Sequence, residues 1–230
     1  MTLAEDLLLL LIDDDTGRPV TDGTTLDHAL AGALLVELAL LGRVGVADGG
    51  GAVKKGRLDV IDAAPTGDAL LDGALATLAE REGREPKAVL EPLAKGLRDR
   101  ALDRLVERGL LRREEGTVLL VFPTKRYPAA DGAHERDVRE RIRSVLEVGA
   151  TPDERTAATI ALLVAIGAVP KVVRPDDRDA RRAVQQRAKA IAEGAWAADA
   201  VKQAIDDISL AVAFMGAGVA VIGGSSAVSS

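Results

Sequence analysis

The sequence predicts a mainly α-helical protein: a single globular domain of apolar central helices surrounded by amphipathic helices, with one or two small β-hairpins. Three observations predict it. Leu26–Leu41 and Thr151–Ala168 are apolar nearly all round, a composition that only a central helix satisfies. Several other segments carry their apolar residues on one helical stripe and their charges opposite. No internal repeat or linker divides the 230 residues, and at roughly 100–200 residues per domain that length suits one large domain or two small ones. We read 1–230 as one domain, with 223–230 a flexible tail.

The elements follow in order. Leu3–Ile12 has the apolar density of a buried helix, and Asp13–Gly23 is rich in turn residues. Thr24 or Thr25 is suited to cap Leu26–Leu41, where Leu26, Leu30, Leu34, Leu38 and Leu41 recur at helical spacing. Beyond its first turn, which holds Asp27, Glu37 is the one acid inside this stretch. It reads either as a catalytic carboxylate or, more simply, as a rim group satisfied by Arg43 or a backbone amide. Gly42–Asp62 reads as short strands and loops; its glycine triplet 49–51 lacks the lysine and hydroxyl of a phosphate loop. Pro65 and Gly67 force a turn, after which Thr66 or Asp68 caps a helix striped by Leu71, Leu75 and Leu78.

Leu90–Arg108 reads as one helix with Leu90, Leu93, Leu97, Ala101 and Leu105 inward, stopped by Gly109. On it Lys95 and Arg98 stand three apart and share a face, while Arg100, Arg104 and Arg108 repeat every four. Leu110–Arg113, a turn at Glu114-Glu115-Gly116 and a strand Thr117–Phe122 read as a hairpin. Val118, Leu119, Leu120, Val121 and Phe122 do not alternate, so that strand is either covered on both faces or adhesive. Asp131–Glu147 turns Val138, Ile142, Val145 and Leu146 inward. Thr151 caps the second apolar helix, with Asp153 and Glu154 in its first turn. Asp176–Ala198 is amphipathic, and Ala200–Ile222 closes the chain.

Composition excludes several functions. Hydrophobic residues are 47% of the chain, which excludes dominant disorder. With no cysteine there is no disulfide framework, thiolate zinc site, iron–sulfur cluster or cysteine nucleophile. His28 and His134 alone leave little for a histidine metal site, and 2% aromatics give no stacking surface for single-stranded nucleic acid. The net charge is −6, unevenly spread: residues 1–80 carry 5 basic and 14 acidic side chains, residues 81–230 carry 25 and 22. Any anion-seeking surface therefore belongs to the second part. Met1–Asp6 lacks the basic region of a secretory signal. Residues 208–230 are uncharged, but their apolar stretch 210–222 is shorter than the ~20 residues of a membrane helix. Gly216 and Gly218 interrupt it, so we expect a core helix with a loose tail.

Three segments together resemble signatures of the Golgi phosphoprotein 3 family: Gly32–Val44 (GALLVELALLGRV), Ala64–Asp72 (APTGDALLD) and Leu105–Leu111 (LVERGLL) followed by an apolar hairpin. Their order and spacing fit, and the similarity spans nearly the whole chain. The resemblance implies a non-enzymatic peripheral membrane protein with a single, mainly helical domain. Eukaryotic members bind phosphatidylinositol 4-phosphate and help retain glycosyltransferases in the Golgi. Carried over by position, the family's two basic lipid-headgroup residues fall on Lys95 and Arg98. Its membrane- or subunit-contacting hairpin falls on Glu114–Lys125, with Val118, Leu119, Leu120, Val121 and Phe122 as the apolar run. The family's tryptophan position falls near Asp22 and a further arginine position on Ala31, so this sequence departs at both. A charge-assisted contact of the kind lost with that arginine is worth ~1.5–3 kcal/mol. The alanine-, arginine- and glycine-rich composition without a targeting segment suggests a bacterial member.

The expected function is a cytoplasmic, peripherally membrane-associated protein that binds anionic, phosphoinositide-type phospholipid headgroups through a basic helix face and an apolar hairpin. No cofactor, metal or catalytic residue is expected, and no nucleic-acid partner. A homo-oligomer formed through the hairpin and a membrane-enzyme client are the expected protein partners. Three alternatives stand beside it. Lys95 and Arg98 read equally as surface charges paired with Asp99, Asp103 or Glu91, in a protein-interaction scaffold without lipid binding. A basic helix before a hairpin suggests a winged-helix DNA-binding regulator, against which stand the net acidity and Glu114-Glu115. Asp27 and His28 could be cast as orienter and base of an enzyme, but no nucleophile motif accompanies them.

Overall fold

A computed structural model of the chain describes residues 1–118, 122–194 and 199–217, and the side chains among them except those of 116–124, 199–204 and 216–217. α1 (Leu3–Leu10) opens with a capping box in which Thr2 and Glu5 satisfy each other's backbone amides. α2 (Gly23–Leu40) is capped by Asp22, whose carboxylate accepts from the Thr25 amide at 2.9 Å. The expected Thr24 or Thr25 cap is thus corrected: Thr25 sits in the first turn and supplies the capped amide. β1 (Val44–Val46) and β2 (Leu58–Val60) form the expected antiparallel pair, with Val44 opposite Val60. α3 (Ala69–Ala79) is capped by Asp68, which accepts from Leu70 and Leu71.

The single helix expected over 90–108 is two. α4 (Pro86–Ala94) ends at Lys95, and α5 (Leu97–Glu107) starts after Gly96. Pro92 inside α4 has no amide to continue the ladder, and Gly96 takes a left-handed φ of 66°, which other residues adopt only under strain. β3 (Glu114–Val118) pairs antiparallel with β4 (Phe122–Arg126), from Glu114 opposite Arg126 to Val118 opposite Phe122. Glu114, Glu115 and Gly116 therefore belong to a strand and not to the expected turn. The hairpin matches the Glu114–Lys125 span implied by the family resemblance to within one residue. It also explains the missing alternation: Val118 and Phe122 lie on opposite strands. At the hairpin's root the Tyr127 amide donates to the Gly17 carbonyl at 3.0 Å. Gly17 has φ 62°, and a Cβ there would lie 2.6 Å from the Tyr127 nitrogen, so this contact requires glycine.

α6 (Ala133–Arg143) runs into a π-helical turn, Ser144–Val148. α7 (Glu154–Ala165) is capped by Asp153 and not by Thr151, because the Asp153 carboxylate reaches the Thr156 amide at 2.7 Å. The short α8 (Val169–Val173) leads to α9 (Arg178–Glu193), capped by Asp177, and α10 (Asp199–Ala217) follows.

α2 is the axis of the fold, packed by α1, α4, α7 and α10. It touches α7 as its all-round apolar pattern predicts, and Leu26, Leu30, Leu34 and Leu38 are all buried. A Cβ on Gly32 would lie 2.5 Å from Val212 Cγ2, so the glycine in the first signature segment is what lets α10 settle against α2. α2 is long and apolar enough to cross a bilayer, but its neighbours cover it, as befits a core helix. On α10, Ile208 and Val212 face the core while Leu210 and Phe214 stand exposed. The expected tail 223–230 lies outside the described residues.

Candidate functional site

Two buried carboxylates of α1 organise the charged interior. Glu5, wholly buried, accepts from the Thr2 amide at 2.8 Å, from Arg104 Nε at 2.9 Å and from an Arg108 amine at 3.4 Å. Arg104 also grips Asp68 with both terminal amines, at 2.9 and 2.5 Å. Burial pushes the Asp68 carboxyl up, but Arg104 and the Leu70 and Leu71 amides outweigh it and hold it below the usual carboxylate value. One arginine thereby ties α5 to α1 and to the cap of α3. Asp6 accepts from Arg155 at 2.8 Å and lies 2.7 Å from His134 Nε2. Arg155 also donates to Glu37 at 2.8 Å, and the Leu3 amide donates to the other Glu37 oxygen at 2.7 Å. The rim reading of Glu37 holds with a different arginine, since Arg43 pairs with Asp62. These groups satisfy one another and are structural.

The basic pair singled out by the sequence lies elsewhere, where α4 meets α5 beside the start of α2. Gly96 turns the chain between Lys95 and Arg98, so the two do not share a helix face. Arg98, on the first turn of α5, donates through Nε to Asp27 Oδ1 at 2.7 Å and through a terminal amine to the Gly23 carbonyl at 2.5 Å. Its ion-pair partner is therefore Asp27 and none of Asp99, Asp103 or Glu91. Lys95 is exposed and, among the described residues, makes no ion pair.

Lys95 borders a cleft of about 620 Å³ lined also by Thr24, Asp27, His28, Arg81 and Glu91. Thr24, Asp27 and His28 stand at i, i+3 and i+4 of α2, and Glu91 and Lys95 at i and i+4 around α4. That spacing was visible in the sequence; the meeting of the two helices was not. His28 Nε2 lies 3.0 Å from Glu91 Oε2. The His28 side chain is 4% exposed and that of Glu91 79%, so a buried ring stands behind an exposed carboxylate. His28 Nδ1 is buried without a hydrogen-bond partner among the described residues. Asp27 and His28 do not form the orienter–base couple considered for an enzyme, because their partners are Arg98 and Glu91. Among the described residues no group of three or more metal-ligating side chains converges.

The two departures from the family pattern now have a structural setting. Asp22 is the N-cap of α2, and Ala31 is wholly buried on that helix. The side chains of Val118, Leu119, Leu120, Val121 and Phe122 lie outside the described residues; only the backbone pairing of Val118 with Phe122 is defined.

A model of the family described as Golgi phosphoprotein 3 (GPP34) matches residues 3–208. The vacuolar protein sorting-associated protein 74 of Eremothecium gossypii is 32% identical over 168 residues, which cover 64% of this chain and 49% of that protein. The protein of the same name from Schizosaccharomyces pombe is 28% identical over 174 residues, covering 64% and 48%. The chain spans about half the length of the curated relatives it matches.

Proposed function

The chain belongs to the Golgi phosphoprotein 3 family, and from that premise we propose that it is a non-enzymatic, peripheral membrane protein that binds anionic phospholipid headgroups at the cleft beside Lys95. The observation that carries this reading is an exposed lysine, without an ion pair among the described residues, at the mouth of a cleft that charged side chains border, at a position the family resemblance assigns to headgroup binding. Lys95 is the direct phosphate contact. Arg98, held by Asp27 and the Gly23 carbonyl, shapes the cleft wall and positions Asp27.

A single headgroup contact gives marginal attachment, and stable membrane binding takes two signals. The five consecutive apolar residues 118–122 of the hairpin supply the second, either by entering the bilayer interface or by joining a second subunit. The protein would act at the cytoplasmic surface of a membrane. A membrane-enzyme client is the protein partner this reading proposes. A DNA-binding reading gains no support: Arg104 and Arg108 turn inward to Glu5, leaving only Arg100 of the three evenly spaced arginines for a nucleic acid.

The test is co-sedimentation with phosphatidylglycerol or phosphatidylinositol 4-phosphate vesicles at low and high salt. Binding should fall as salt rises and should be lost on Lys95→Ala. Equal sedimentation of Lys95→Ala and the parent would remove the site. Failure of the parent to sediment with any anionic lipid would remove the function.

A further inference from the structure

We propose that this cleft selects a phosphate ester that carries a primary ammonium group, the chemistry of an aminophospholipid headgroup, over one that carries a quaternary ammonium. The inference rests on the headgroup reading above and gives it a ligand class.

The charges that line the cleft are mixed. Lys95 and Arg81 bring positive charge, and Asp27 and Glu91 bring negative charge to the same walls. Their availability differs. Arg81 is engaged by Glu80 and the Thr77 carbonyl, each at 3.1 Å. Arg98, behind the wall, is taken by Asp27. Among the described residues Lys95 is then the lining cation without a carboxylate partner, and one such cation matches the single negative charge of a phosphodiester. A phosphomonoester carries close to two charges near neutral pH. It would bring the second beside two carboxylates, and like charges at close range repel.

Acceptors, by contrast, are in surplus. A carboxylate offers about four lone-pair sites. Arg98 takes one from each Asp27 oxygen, and His28 faces only Oε2 of Glu91. The buried imidazole fixes that Glu91 oxygen from behind. A primary ammonium brings three N–H donors, whereas a quaternary ammonium brings none. Phosphate on Lys95 with the ammonium on Glu91 and Asp27 leaves no charge of the cleft or the ligand unpaired.

The experiment holds surface charge constant. Vesicles carry a fixed fraction of phosphatidylglycerol and are completed with either phosphatidylcholine or phosphatidylethanolamine. In parallel, glycerophosphoethanolamine and glycerophosphocholine are titrated in solution and followed by protein NMR shifts. The ethanolamine forms should bind about tenfold tighter in both arms, the size of one charge-assisted hydrogen bond. Glu91→Gln, a change at an exposed side chain whose folding is checked by thermal unfolding, should abolish the preference for the ethanolamine forms. Equal binding of both vesicle types, lost on Lys95→Ala, would overturn the ammonium selection and leave the headgroup reading standing. Retention of the preference in Glu91→Gln would overturn the selection in the same way. Binding of glycerophosphoethanolamine without binding of any vesicle would confirm the cleft chemistry, identify a free phosphate ester as the ligand and overturn the membrane function. Failure of both arms would overturn both.

Discussion

Replacing Arg104 with methionine removes the guanidinium that joins α1, α3 and α5 while keeping much of the side chain's apolar volume. Glu5 would lose its 2.9 Å partner and keep the Thr2 amide and the more distant Arg108, in a site with no solvent exposure. Asp68 would lose both arms of a forked contact at 2.9 and 2.5 Å. Removing one partner of a buried ion pair costs about 3–5 kcal/mol, because the remaining charge stays desolvated. Arg108 recovers some of this for Glu5, so the lower half of that range is expected in urea unfolding at pH 7. Arg104→Lys should fall between, since an ammonium cannot fork onto Asp68 while reaching Glu5. The sign with pH is also set. The Asp68 carboxyl lies below its ordinary 3.8 when folded. Its stabilising contribution is therefore present above pH 3.8 and lost as pH falls through the folded value. The gap between parent and Arg104→Met should narrow in acid for that reason. In the double variant Arg104→Met/Glu5→Gln, part of the loss should return, because no buried charge is left at position 5. A loss below about 1 kcal/mol at pH 7, or no recovery in the double variant, would mean that this network behaves as a surface salt bridge.

Three further outcomes are expected. Gly32→Ala sets a methyl 2.5 Å from Val212 Cγ2 and should cost about 1–3 kcal/mol by pushing α10 off α2, read as a lower urea midpoint; an unchanged midpoint would refute the close approach. Leu34→Ala should cost on the order of 2–5 kcal/mol from a site that is 1% exposed, and a change under about 0.5 kcal/mol would displace α2 from the core. Burial, then a hydrogen bond with Asp14, against the opposing Arg139, pushes the Glu135 carboxyl from 4.5 up to about 7. A group raised on folding stabilises fully below its unfolded value, so this contribution is lost as pH climbs from 4.5 to about 7. At 1.36 kcal/mol per pH unit it is worth at most roughly 3 kcal/mol. Glu135→Gln should flatten the stability profile across that window, and an unaltered slope would rule Glu135 out.

The helices that bury a continuous stripe were legible because apolar spacing is local information. Caps were legible only as a choice of residue. At the starts of α2 and α7 a threonine and an aspartate both stood within reach, and the aspartate took the cap. The break at Gly96 was also written in the sequence, with Pro92 four residues before it, but the leucine stripe runs through both helices and conceals the joint. That stripe made Lys95 and Arg98 look coplanar. The ion pairs of Glu5 and Asp6 were not legible at all. Arg104 and Arg155 reach them from 99 and 149 positions away, and nothing in a surface-like arginine repeat says which member turns inward. The same holds for the cleft, whose two walls are each a recognisable helix face and whose pairing is a tertiary fact.

The contact of Gly32 with Val212 sets an order of events during synthesis. α2 leaves the ribosome early, and the helix that lies along it is the last one described. Until that helix arrives, the nascent chain presents an 18-residue apolar segment with one flank uncovered. Such a segment passes the length and hydropathy requirements for insertion into a bilayer. Covering that flank is therefore a long-range closure, the kind of contact that forms slowly during folding. A chain that stalls before α10 would expose to chaperones and membranes a helix that the finished protein conceals.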